Sequence, residues 1–151
     1  MKLNELLKAN RIMVNVEAED WERVIDVGAS LLLKEGMIEP RYIDAIKETK
    51  KTMGPYIVIA PGIAIPHSKP EDGVLKTGMS FIKLKEPVYF GHIDNDPVRI
   101  VFTLASIDRN THLAALKQLM NILMDNEELE KLFNSQSIDE IVDVINKHSQ
   151  N

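Results

Sequence analysis

Two of the four histidines in this 151-residue sequence stand where imidazole chemistry is credible. His67 lies in Pro61-Gly62-Ile63-Ala64-Ile65-Pro66-His67-Ser68-Lys69-Pro70, whose three prolines and one glycine exclude helix and hold an extended loop. Such a loop exposes a side chain while fixing its backbone, and small Ser68 and cationic Lys69 flank the ring. A neutral imidazole nitrogen is a good nucleophile near pH 7 and can carry a phosphoryl group. His112 follows about 45 residues later, in the first turn of a helix expected to begin near Asn110-Thr111. Free N–H groups and the positive end of the helix dipole attract anions there. The same dipole disfavours imidazolium, which makes His112 a neutral hydrogen-bond donor. Beside His67 it would steady the equatorial oxygens of a phosphoryl group in transit. Spacing alone does not bring the two rings together. From the residues, His67 reads equally as a reactive group or an ordinary loop histidine, and His112 as site or plain surface.

The other two histidines offer less. His92 with Asp94 and Asp96 contains metal-ligand types, but Asp and Asn fill hairpin turns for backbone reasons. His148 follows Lys147 in the last turn of the last helix, where cations complement the dipole, and reads as solvated. Gly73 to Ser80 superficially resembles a phosphate-binding loop. The lysine would have to follow the second glycine, where Met79 stands, so the segment reads as a turn entering a strand. Neither a His-Glu-x-x-His pair nor a Gly-x-Ser-x-Gly elbow occurs. No metal and no cofactor are expected.

The elements that must position these groups are legible from periodicity. Leu3, Leu6 and Leu7 point to a short opening helix, and Arg11 to Val16 alternates as a strand. Asp20 to Lys34 repeats apolar residues at helical spacing, with Gly36 as its stop. Pro40 suits the first turn of a second long helix that buries Tyr42, Ile43 and Ile46. Ile57 to Ala60 reads as a buried strand, and Lys76 to Lys85 and Arg99 to Ile107 as two more. Thr111 to Asp125 is helical, with Leu113, Leu116, Leu119, Met120 and Leu123 on one side. Glu127 to Phe133 and Ile138 to Lys147 follow, the latter capped by Ser137 with Glu140 three residues on. No repeat or linker divides the chain, so residues 1–151 are expected to form one α/β (α+β) domain. Its sheet should be mixed, with four to five strands flanked by helices.

Composition narrows the function. A net charge of −5, a pI near 5.4 and only 5% aromatic residues argue against a nucleic-acid partner. The absence of cysteine removes disulfides and thiolate chemistry, and suits a reducing cytoplasm. No signal peptide or apolar stretch long enough to insert in a membrane is visible.

The runs Gly54-Pro55-Tyr56, Ile59-Ala60-Pro61-Gly62-Ile63-Ala64-Ile65-Pro66-His67 and Lys69-Pro70-Glu71-Asp72-Gly73-Val74-Leu75-Lys76-Thr77-Gly78 carry a resemblance. So do Pro87-Val88, Phe90-Gly91, Asn95-Asp96 and Asp108 to Leu113. Together they resemble the EIIA domain of the sugar phosphotransferase system, mannitol/fructose type (EIIA type 2). The likeness is greatest to the stand-alone ascorbate-type EIIA and covers nearly the whole chain. It implies a cytoplasmic phosphocarrier in which His67 accepts phosphate from phospho-HPr, a tele-phosphohistidine candidate, and gives it to a cysteine of an EIIB component. EIIB would then serve a membrane EIIC transporter. The resemblance makes His112 the second active-site histidine and implies a mixed sheet flanked by helices. Ascorbate-type sequences have Ala-Arg where Ser68-Lys69 stand, which keeps the charge but loses the guanidinium fork. Mannitol-type relatives place an arginine upstream, where this chain offers only Thr49, Lys50 or Lys51. A transport phosphocarrier would need an apolar docking surface around His67, for which Ile63, Ile65 and Met79 are candidates unless they are core. The competing readings are a regulatory EIIA-like protein of the nitrogen-branch type, and a small metal-binding protein using His67, His92 and His112.

Overall fold

The computed structural model describes residues 1–149, so the last two residues of the expected 1–151 domain lie outside it. Helix α1 (Leu3–Leu6) and a 3-10 turn (Ala9–Arg11) lead into β1 (Ile12–Val16). Asp20 then caps α2 (Trp21–Leu33) by accepting the Arg23 N–H, and Pro40 opens α3 (Pro40–Met53) at its first position. After β2 (Val58–Ala60) the chain turns at Gly62, whose φ of +79° favours glycine, into a two-residue strand β3 (Ile63–Ala64). Strands β4 (Gly78–Val88) and β5 (Val98–Ala105) follow as a hairpin. The chain ends in α4 (Arg109–Leu123), α5 (Asn126–Asn134) and α6 (Ile138–Lys147), and Ser137 caps α6 by accepting the Glu140 N–H.

These strands form one mixed sheet in the order β1-β4-β5-β3-β2. β1 runs parallel to β4, β4 antiparallel to β5, β5 parallel to β3, and β3 antiparallel to β2. Strand alternation splits the sheet's side chains between two cores. Ile100, Phe102 and Leu104 of β5, with Met79 and Phe81 of β4, meet α1, α4, α5 and α6. Val101 and Ala105, with Ile82 and Leu84, meet α2 and α3. Helix α2 comes very close to the sheet: a Cβ at Gly28 would lie 2.6 Å from Thr103 Oγ1, and Ser80 Oγ donates to the Gly28 carbonyl at 2.7 Å. A buried cation ties α1 to this frame. Arg11, 1% exposed, donates to the carbonyls of Met79 and Leu6 and pairs with Glu35 at 2.8 Å.

Three expectations are corrected. Ile63–Ala64 is not loop but a strand, because its backbone completes a parallel ladder with Ile100 and Val101. The α4 stripe is set by Ala115, Leu119, Ile122 and Leu123, which face the sheet and α5. Leu113 and Met120 lie off that face, at 53% and 38% exposure. His148 is not solvated: it caps α6 with its side chain largely buried, 3.6 Å from the buried carboxylate of Glu128.

Candidate functional site

The site is built by the parallel pairing of β3 with β5. Parallel strands present their C-terminal ends at the same edge, the place where open α/β sheets gather their functional loops. His67 follows β3 by three residues, and the helix carrying His112 starts four residues after β5. Beyond the ladder, the Leu104 N–H donates to the Pro66 carbonyl at 3.0 Å. The two imidazoles, far apart in sequence, therefore meet with centroids 4.9 Å apart and planes at 46°.

The tautomer of His67 follows from its partner. Its Nδ1 lies 2.7 Å from the Ile65 carbonyl oxygen, which can only accept, so Nδ1 carries the proton and Nε2 keeps its lone pair. Burial pushes the His67 pKa below the ordinary histidine range, while the bond to Ile65 acts in the opposite direction. His112 is also lowered, first by burial and then by its proximity to His67. Both rings are thus held neutral near pH 7.

Two tyrosines brace the loop. Tyr56 stands edge-on to His67 at 5.5 Å and donates its hydroxyl to the His67 carbonyl at 2.6 Å. Burial raises the Tyr56 pKa to about 12, which keeps the phenol protonated as a donor. Tyr42, inside the core, donates to the Leu104 carbonyl at 2.8 Å and accepts the Ser68 N–H at 2.9 Å, joining the loop to β5. Tyr42→Phe should leave both backbone groups short of a partner and cost about 1–3 kcal/mol. The loss should appear as a lower urea midpoint; an unchanged midpoint would show that the phenol is not the tie.

The histidines open onto a cleft of about 760 Å³ lined also by Thr49, Met53, Ser106, Ile107 and Arg109. Ser68 Oγ donates to the Asp72 carboxylate, and Lys69 and Arg109 stand at the rim with Glu71 and Asp108. Of the three residues near the upstream arginine position, only Thr49 lines the cleft. Lys50 lies over the Trp21 ring at 4.0 Å, and Lys51 is 3.8 Å from Glu22.

Several site expectations change. Ile63, Ile65 and Met79 are core, each 1% exposed or less, because they lie under the sheet's helical cover. The exposed apolar groups that line the cleft are instead Met53 at 73% and Ile107 at 54%. Helix α4 begins at Arg109, so His112 lies just past the first three helical positions and its own N–H already donates to the Asp108 carbonyl. The Asp108 carboxylate accepts the Thr111 N–H, which lowers its pKa and offsets the dipole near His112. His92 stands away from the cleft: its Nδ1 accepts the N–H groups of Asp94 and Asn95, while Asp96 accepts those of Phe90, Gly91 and His92. Among the described residues no group of three or more His, Cys, Asp or Glu is placed to hold a metal ion. The sequence reading gave no site role to Tyr42, Tyr56, Asp72 or Ser106: Tyr42 marked only the buried stripe of its helix, and Tyr56 and Asp72 only fell in the runs that carry the resemblance.

The family model for "Phosphoenolpyruvate-dependent sugar phosphotransferase system, EIIA 2" matches residues 5–148. The chain belongs to this EIIA family. It is 42% identical over 149 residues to the ascorbate-specific PTS system EIIA component of Escherichia coli strain K12, covering 97% of each chain. Among solved structures, this EIIA chain is similar to the mannitol-specific cryptic enzyme IIA CmtB of Escherichia coli. The TM-score is 0.89 at 36% identity, over 97% of this chain and 99% of that one. It is also similar to the enzyme IIA of Escherichia coli solved in complex with phosphorylated enzyme IIB of the mannitol system. There the TM-score is 0.82 at 32% identity, over 94% and 99% of the chains. In the described residues of this EIIA chain no helix is long and apolar enough to cross a membrane.

Proposed function

We propose that this chain carries a phosphoryl group on Nε2 of His67, taking it from phospho-HPr and giving it to a cysteine of an EIIB component of an ascorbate-type transport system. The reading rests above all on the bond from His67 Nδ1 to the Ile65 carbonyl, which leaves Nε2 unprotonated beside His112. The Nε2 lone pair forms the new P–N bond as the donor's P–N bond breaks, and the donor imidazole leaves with the electron pair. Nδ1 keeps its proton throughout, so the product ring gains cationic character, and its bond to Ile65 strengthens as a charge-assisted one. His112 stabilises the moving phosphoryl oxygens. A thiolate then attacks phosphorus and returns His67 to neutrality.

Met53 and Ile107 supply an apolar rim on which each protein partner would dock briefly. The similar enzyme IIA solved with a phosphorylated enzyme IIB supports the same kind of acceptor here. The ascorbate-specific relative supports the system, in which EIIB passes the group on to the sugar at a membrane EIIC. Such a relay would work in the cytoplasm, with residues 1–151 as one domain.

The test is incubation with phosphoenolpyruvate, enzyme I and HPr, followed by phosphorus–proton NMR. An acid-labile phosphoryl group on His67 Nε2 is expected; attachment at Nδ1 or at another residue would overturn the reading. The uptake rate carries a second signature. Protonation removes the nucleophile, and burial lowers the His67 pKa from its ordinary 6.5, so the rate should fall on the acid side with a midpoint below 6.5. A midpoint above 6.5 would contradict the burial of the ring.

A further inference from the structure

We infer that Ser106 supplies a hydroxyl donor to the phosphoryl group of phospho-His67, an inference that rests on the phosphocarrier reading. Ser106 lines the cleft shared by His67 and His112, yet it is 4% exposed and its Oγ has no hydrogen-bond partner among the described residues. Buried hydroxyls in folded proteins are almost always paired, and an unpaired one is destabilising. A missing ligand is the economical explanation for a hydroxyl in this position.

The other hydroxyls around the site already have acceptors. Ser68 donates to Asp72, Tyr56 to the His67 carbonyl, Tyr42 to the Leu104 carbonyl, and Thr49 to the Ala45 carbonyl. Ser106 alone of these keeps its proton uncommitted. Its backbone is fixed from both sides, since it directly follows β5 and stands two residues before Asp108, the cap of α4. Leu104, two residues earlier, donates its N–H to the Pro66 carbonyl, one residue from His67. Turning Oγ between staggered positions breaks no existing bond, so the hydroxyl can swing toward an arriving oxygen at little cost. A phosphoryl group on Nε2 carries charge on three oxygens, of which His112 serves one and Ser106 another.

Ser106→Ala separates this role from a structural one. In the free protein the substitution removes an unsatisfied group, so the melting temperature should stay at the wild-type value or rise. In the phosphorylated protein it removes a charge-assisted bond, so the phosphoryl equilibrium with HPr should shift toward the donor by about tenfold. The phosphorus resonance of phospho-His67 should move as well, and Ser106→Thr, which keeps the hydroxyl, should restore part of the equilibrium. A wild-type equilibrium and resonance in Ser106→Ala would overturn the assignment while leaving the phosphocarrier reading intact. Failure of the wild-type chain to take phosphate on His67 would overturn both.

Discussion

His67→Ala is expected to lose phosphoryl acceptance to background, while its melting temperature should stay near wild type. The ring is only partly buried, and its hydrogen bonds join it to its own loop rather than to the sheet. Truncation therefore removes the proposed nucleophile without opening the core. Ser68 is tied to Asp72, Tyr56 is held protonated by a pKa near 12, and the chain has no cysteine, so any residual labelling would point to His112, 4.9 Å away. His112→Ala is the informative companion. If His112 acts on the phosphoryl oxygens, uptake should slow by about 100-fold, the size of losing one well-placed donor, while the modified residue stays His67. Radiolabel from phosphoenolpyruvate in the presence of enzyme I and HPr, read by gel and by peptide mapping, measures both. Full labelling of the His67 variant would end the assignment of the nucleophile, and undiminished uptake in the His112 variant would reduce its neighbour to packing.

Arg11→Leu should destabilise the fold more than any substitution in the cleft. The guanidinium is 1% exposed and donates from three nitrogens: to Met79 in the sheet, to Leu6 at the end of α1, and to Glu35 beyond α2. Leucine fills much of the volume but leaves two carbonyls short of a donor and the Glu35 carboxylate without its cation, with only the Asn10 amide still donating to it. Removing one side of a buried ionic and hydrogen-bonded set costs about 3–5 kcal/mol. For a domain of this length that lowers the melting temperature by on the order of 10 °C. A thermal midpoint within a degree or two of wild type would show that Leu3, Leu6, Leu7 and the bonds of Asn4 to Asn146 and Ser149 hold α1 without Arg11.

How much of this was legible depended on whether the cause was local. Pro40 and Ser137 marked helix starts because first-turn prolines and caps act through neighbouring N–H groups. Strand β5 was legible because its side chains alternate between two cores. Strand β3 was not, because two residues in a proline-rich run show no periodicity and its parallel partner is distant in sequence. The same ladder brings His67 to His112, so the meeting that makes the site was also invisible. In α4, apolar residues lie on more than one side, and spacing alone assigned Leu113 and Met120 to the core. Asp108 starts that helix ahead of the expected Asn110-Thr111, and its cap is what moves His112 beyond the free N–H groups. Arg11 read as the start of a strand; its burial is fixed by groups on three other segments, which no local pattern records.

The β2–β3 hairpin lies at the margin of the sheet, and the ladder of β3 with β5 is two residues long, extended by bonds from β5 to the Gly62 and Pro66 carbonyls. Outlying, short-laddered segments open with less free energy than the whole domain, whose centre here is the long β4–β5 pair. A fluctuation that lifts this flap would carry His67 away from His112 while leaving most of the domain intact. If His67 is the acceptor, competence for transfer should be less durable than the fold and should fade on warming or in mild denaturant before the domain melts.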